Sequence, residues 1–105
     1  MLKDEMKKII SERQRKHLQD DYGIQKCWDK MIELLSNDEQ ETFEYLKQCS
    51  KEDLFFVSEV FEDVAEKLQS RDYIKCLRDL DVKFPDLEMK KDIDIAEECM
   101  TNSIE

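Results

Sequence analysis

Residues 50–68, Ser50-Lys51-Glu52-Asp53-Leu54-Phe55-Phe56-Val57-Ser58-Glu59-Val60-Phe61-Glu62-Asp63-Val64-Ala65-Glu66-Lys67-Leu68, carry the most complete helix signal in the chain. Ser50 followed three residues later by Asp53 has the form of a capping box, in which the hydroxyl accepts a free N–H of the first turn. Beyond it Leu54, Val57, Phe61, Val64, Ala65 and Leu68 recur at three- and four-residue steps, which on one continuous helix faces them all into a core. At 100° per residue Glu52, Glu59, Asp63 and Glu66 fall within about 60° of one another on the other side, with Phe55 and Phe56 on either flank. Between Lys51 and Lys67 stand six acids and no base, so the intrahelical pairing usual on a merely solvated face is missing. Acids framed by aromatics suit a binding surface. The candidate partner-binding residues are therefore Glu52, Phe55, Phe56, Glu59, Glu62, Asp63 and Glu66. The competing reading is an ordinary solvated face, with both rings covered by neighbouring helices.

On the N-terminal side, Ser36-Asn37-Asp38 supplies a turn and a cap for a short helix anchored by Phe43 and Leu46, with Tyr45 well off their face. Before it, Ile24, Cys27, Trp28, Met31 and Leu35 mark a second helix, which Asp20-Asp21-Tyr22-Gly23 separates from the first. The first helix is expected from Leu2 to Leu18, with Leu2, Met6, Ile9 and Ile10 in one stripe that Arg13 and His17 extend. Its apolar content is thin, and a docking helix on the domain edge and a partly frayed arm both stay open. On the C-terminal side, Ser70 caps a helix carrying Tyr73, Ile74, Leu77, Leu80 and Phe84, and Pro85 cannot continue it. A last helix faces Ile93, Ala96, Cys99 and Met100 inward, and residues 101–105 read as a tail. The fold expected is all-α, a single domain over residues 1–105, arranged as a bundle or short curved stack of five to six antiparallel helices. One glycine and one proline leave little turn chemistry for a sheet.

The net charge of −10 is unevenly placed: residues 1–19 carry +3 and the rest carries −13. An acidic body with a mildly basic leading helix repels nucleic acid and anionic membranes and points to a basic partner. The charged N-terminus does not have the form of a secretory signal, and no run approaches a membrane span, so a cytoplasmic setting is expected. Cys27, Cys49, Cys76 and Cys99 lack the paired spacing of zinc or redox motifs and are expected as free thiols.

Catalytic chemistry finds little to stand on. His17 is the only imidazole, and Gly23 alone makes no phosphate-cradling loop. Asp92 and Asp94, with Glu97 and Glu98, read as the solvated start of a helix rather than a calcium loop, which needs a central glycine. The carboxylates of residues 59–66 lack the Glu-x-x-His elements of a di-iron bundle. The expectation is a binding protein with no catalytic residues, no metal and no cofactor.

Ser58-Glu59-Val60-Phe61-Glu62-Asp63, Leu68-Gln69-Ser70, Tyr73-Ile74-x-Cys76-Leu77, Lys83-Phe84-Pro85-Asp86-Leu87 and Asp92-Ile93 with Ala96 resemble the C-terminal part of a known family. It is that of the small helical immunity proteins accompanying bacterial polymorphic toxins, including contact-dependent growth-inhibition systems. The resemblance covers roughly residues 33–100. It implies a protein that binds the C-terminal domain of a cognate toxin and blocks it; separately, a monomer is expected rather than a homodimer, with self-association through Phe55 and Phe56 as the alternative. Such toxins are often nucleases, whose substrate grooves are basic because they hold phosphates. A nucleic-acid mimic that inhibits DNA-binding enzymes broadly, or a helical adaptor, would share the acidic surface.

Overall fold

Three side chains start helices by accepting backbone N–H groups that a first turn leaves unpaired. Asp38 accepts from Glu41 at 3.1 Å, Ser50 from Asp53 at 3.1 Å, and Ser70 from Tyr73 at 3.2 Å. The computed structural model describes residues 2–15 and 21–100. Its helices are α1 (Leu2–Arg15), α2 (Asp21–Asn37), α3 (Glu39–Gln48), α4 (Lys51–Val57), α5 (Phe61–Leu68), α6 (Arg71–Lys83) and α7 (Lys90–Glu98). Short 3-10 turns occupy Ser58–Val60 and Pro85–Leu87, and among the described residues there is no strand. The fold is an all-α single-domain bundle. Its radius of gyration of 13.1 Å matches the ~13 Å expected of a compact chain near 100 residues.

Helix α1 lies chiefly against α2 and also meets α3 and α4, while α7 closes the other side against α5 and α6. One core joins them. Met6, Met31, Leu54, Val60, Val64, Leu77 and Ile93 are fully buried within it. Truncating a side chain such as Leu54 to Ala costs about 2–5 kcal/mol at a site of this kind. The stripe Leu2, Met6, Ile9 and Ile10 is wholly buried, so α1 docks on the bundle and contributes to the core. His17, the expected end of this helix at Leu18, and the tail at 101–105 lie outside the described residues.

The central stretch is not one helix. The helical ladder tightens at Ser58–Val60, with the Phe61 N–H bonding back to Ser58 O, and Val60 sits at φ −116°, ψ 12°. The Ser58 hydroxyl donates to Phe55 O at 2.7 Å, a backbone contact that loosens and bends helices. Val57 and Val60 add β-branched crowding. Both Val60 and Phe61 are buried at this tightening. The tightening also resets the angular register on which the expected acidic stripe depended.

Two smaller departures have similar causes. Asp21-Tyr22-Gly23 opens α2 instead of separating it from α1, and Gly23 is buried in that first turn. Tyr45 is buried on α3 with Thr42 and Leu46, whereas Phe43 is only partly covered. Thr42 donates to Leu35 O at 2.7 Å, which docks α3 on the end of α2 along that face. Pro85 does end the long helix, and α6 stops at Lys83.

With its single glycine at position 23, the chain makes left-handed turns with other residues. Gln69 (φ 49°) and Glu88 (φ 54°) occupy the region that normally favours glycine. Gln69 offsets that cost by bonding across the bundle. Its side-chain amide donates to Glu66 O at 2.8 Å and to Cys99 O at 3.1 Å, joining the ends of α5 and α7.

Candidate protein-binding surface

Glu59 was expected on the solvated acidic stripe, and its carboxylate is instead held from within. Arg13, near the end of α1, donates from Nε to Oε1 at 2.9 Å and from Nη2 to Oε2 at 2.7 Å. Trp28 Nε1 on α2 donates to the same Oε1 at 2.9 Å. The Arg13 and Glu59 side chains keep only 13% and 24% of their exposure, so this two-pronged pair is substantially shielded from solvent. The 3-10 turn sets Glu59 where both partners reach it. Local charge spacing had no access to this, because Arg13 is 46 residues away.

The same guanidinium lies over the Phe56 ring, 5.5 Å from its centroid. Phe56 meets Phe55 edge to face, with centroids 5.2 Å apart and planes at 85°. The two rings divide the alternatives posed by the sequence. Phe56 is partly buried against the core, and Phe55 stands 54% exposed.

The remaining acidic candidates find no cation. Glu52, Glu62, Asp63 and Glu66 are exposed, and none of them forms an ion pair among the described residues. Some acids elsewhere find cations, though most do not. Asp53 faces Lys7 at 3.6 Å, Asp86 pairs with Lys51, and Arg78 bridges Asp94 at 2.8 Å and Glu97 at 2.6 Å. Hydrogen bonds from Arg78 and Lys90 hold the Asp94 carboxyl below the usual range.

The structure groups the acids differently from the expected stripe. Glu59 and Glu62 meet Asp92 of α7, with Ser58 and Ile95, around a cleft of about 160 Å³. Partial burial pushes the Asp92 carboxyl up. One turn further on, burial raises the Cys99 thiol first, and the charges of Glu62, Glu66 and Asp63 raise it further. Asp92 was absent from the sequence candidates. The available signal was the three-residue spacing of Asp92 and Ile95, which places both on one side of α7 at this cleft. Glu52 stays apart on α4, before the turn.

All four cysteines are free thiols. Burial pushes Cys49 up to about 11, leaving a protonated and unreactive thiol that donates to Tyr45 Oη at 3.6 Å. Among the described residues no group of three or more His, Cys, Asp or Glu side chains is arranged to hold a metal ion. No described helix is long and apolar enough to cross a membrane. A groove of about 490 Å³ between α3 and α6 has Phe43, Cys76 and Leu80 in its lining, with Lys47, Lys75 and Lys83 but also Asp72 and Asp79. Its mixed charge gives no preferred sign of ligand. Comparison with protein-family models, curated proteins and solved structures returned no match to this chain.

Proposed function

We propose that this protein binds and neutralises a cognate bacterial toxin domain, as an immunity protein does, by covering a basic active-site or substrate surface. The observation that carries the proposal is the run Glu62, Asp63 and Glu66, exposed and without an ion pair among the described residues, on a segment with six acids and no base between Lys51 and Lys67. Unpaired surface charge repels itself and destabilises the compact state, and a basic partner removes that penalty on binding. The opposed potentials speed encounter, which suits an inhibitor that must capture its target before damage is done. The sequence resemblance to helical immunity proteins covers this segment and supports the same reading. The acids compete with nucleic acid phosphates for the toxin's Lys and Arg, and the chain itself binds no nucleic acid and works as a monomer in the cytoplasm.

The reading predicts that the gene immediately upstream encodes the end of a large secreted protein. It further predicts that a catalytically inactive form of that C-terminal domain binds this chain tightly, and less tightly as salt is raised. Co-expression should suppress the toxicity of the active domain. Absence of binding at low salt would overturn the proposal. Equal binding to an unrelated basic nuclease would favour broad nucleic-acid mimicry instead.

A further inference from the structure

We infer that the groove between α3 and α6 is a self-association surface, in which α6 of a second copy of this chain seats antiparallel to α6. The groove holds about 490 Å³ and shares no lining residue with the acidic cleft between α5 and α7. Its floor is apolar, with Leu80 buried and Phe43 and Cys76 partly covered. Along α6 the rim reads Asp72, Lys75, Asp79, Lys83, alternating in sign at steps of three and four residues. At 100° per residue the four lie within about 80° of one another. Val82, 80% exposed, follows Lys75 two turns on along the same side of the helix. Alternation of this kind ordinarily closes pairs between residues i and i+4 of one helix. None of these four side chains forms an ion pair among the described residues, and Lys83 lies instead over the Phe84 ring, 5.3 Å from its centroid.

Such a rim prefers neither sign of ligand, and what it selects is a surface carrying the same charges in reversed order. Read from its other end, α6 supplies that order itself. In an antiparallel pair about a two-fold axis level with Leu77, Asp72 comes opposite Lys83 of the second copy and Lys75 opposite its Asp79, and each contact occurs twice. A parallel pair would set each charge against its own kind. The apolar floor and Val82 supply the area that the contact removes from water. The rim runs along only about 16 Å of helix, less than a standard interface spans, and each chain carries a net charge of −10. The pair is therefore a weak, reversible dimer of the concentrated free protein. The dilute chain remains the monomer of the inhibitor reading, on which this inference does not rest.

The test is sedimentation equilibrium, in reductant and at about 0.15 M salt, on wild type, Lys75→Glu, Asp79→Lys and an equimolar mixture of the two variants. Over about 10 µM to 1 mM, wild type should move from the monomer mass towards twice that mass, with a Kd of about 100 µM. Lys75→Glu sets an acid against Asp79 in both contacts, and Asp79→Lys sets a base against Lys75. Each variant alone should therefore dimerise about tenfold more weakly or worse, with native circular dichroism. Mixed, the two restore both opposite-sign contacts in one heterodimer, which should form within about threefold of wild-type affinity. Wild type that stays monomeric at the highest concentration would overturn the inference, as would a mixture that associates no more tightly than its two components. A dimer indifferent to both changes and abolished by Phe55→Ala would place the contact on α4 and overturn it too. A chain that stays monomeric, but whose Cys76 is shielded from a thiol reagent by the inactivated toxin domain, would overturn it in favour of that partner.

Discussion

Glu59 and Glu62 are three residues apart and carry the same side chain, yet they do opposite things. Glu59 is shielded and saturated, holding a bidentate arginine and an indole N–H. Glu62 is exposed, without an ion pair, beside Asp92 and Cys99. The difference comes from long-range partners. α1 places a cation and α2 a donor at the turn, while α7 brings further negative charge to α5. A run of acids is therefore not one surface, because its first member ties the bundle together and the later ones face outward.

The largest expected effect separates the two on stability. Glu59→Ala leaves a shielded guanidinium and an indole N–H without their acceptor, and should destabilise the fold by about 3 kcal/mol in denaturant titration. Trp28 is the only tryptophan, so its emission should shift to the red in the same variant while the protein is still folded. Unchanged stability and emission would mean that the network carries no weight.

On binding the order reverses. Replacing Glu62, Asp63 and Glu66 together by Lys should weaken capture of the basic domain about a hundredfold at low salt, with helix content unchanged. Equal loss from Glu59→Gln would erase the proposed division of labour.

A smaller effect concerns Asp92. Burial raises its folded-state pKa, so stability from this group is greatest at low pH and falls as pH rises from the unfolded value through the raised one. Asp92→Asn should therefore raise stability at neutral pH by no more than about 0.5 kcal/mol while weakening the complex. Lower stability in thermal melts at pH 7 would reverse the assigned sign. The smallest effect is kinetic. The raised Cys99 thiol should react slowly with iodoacetamide, with a rate still climbing above the pH where an ordinary thiol levels off. Glu62→Gln should accelerate it a few-fold, by removing one of the charges that opposes the thiolate.

Much of the fold was legible because it depends on local rules. Ser50, Asp38 and Ser70 announce helix starts through backbone bonds made within three residues, and Pro85 ends a helix by its own ring. The apolar stripes of α1 and α6 follow helical periodicity directly. The turn at Ser58–Val60 was hidden, because Leu54, Val57, Phe61 and Val64 fit an unbroken helix equally well and only packing reveals that Val60 is buried too. Tyr45 was misplaced because α3 docks through Thr42 and Leu35, a tertiary contact. In the candidate surface, the exposure of Glu52, Glu62, Asp63 and Glu66 agrees with the local reading, whereas that of Phe55 is not fixed by local spacing. The roles of Glu59, Phe56 and Asp92 depend on Arg13 and α7, distant in sequence.

The most direct measurement is the salt dependence of the association rate with the inactivated upstream-encoded domain, for wild type, Glu59→Gln and the Glu62, Asp63 and Glu66 to Lys triple variant. The account predicts fast association that slows as salt rises for wild type and Glu59→Gln alike, and slow, nearly salt-independent association for the triple variant. Wild-type rates and salt dependence in the triple variant would contradict it.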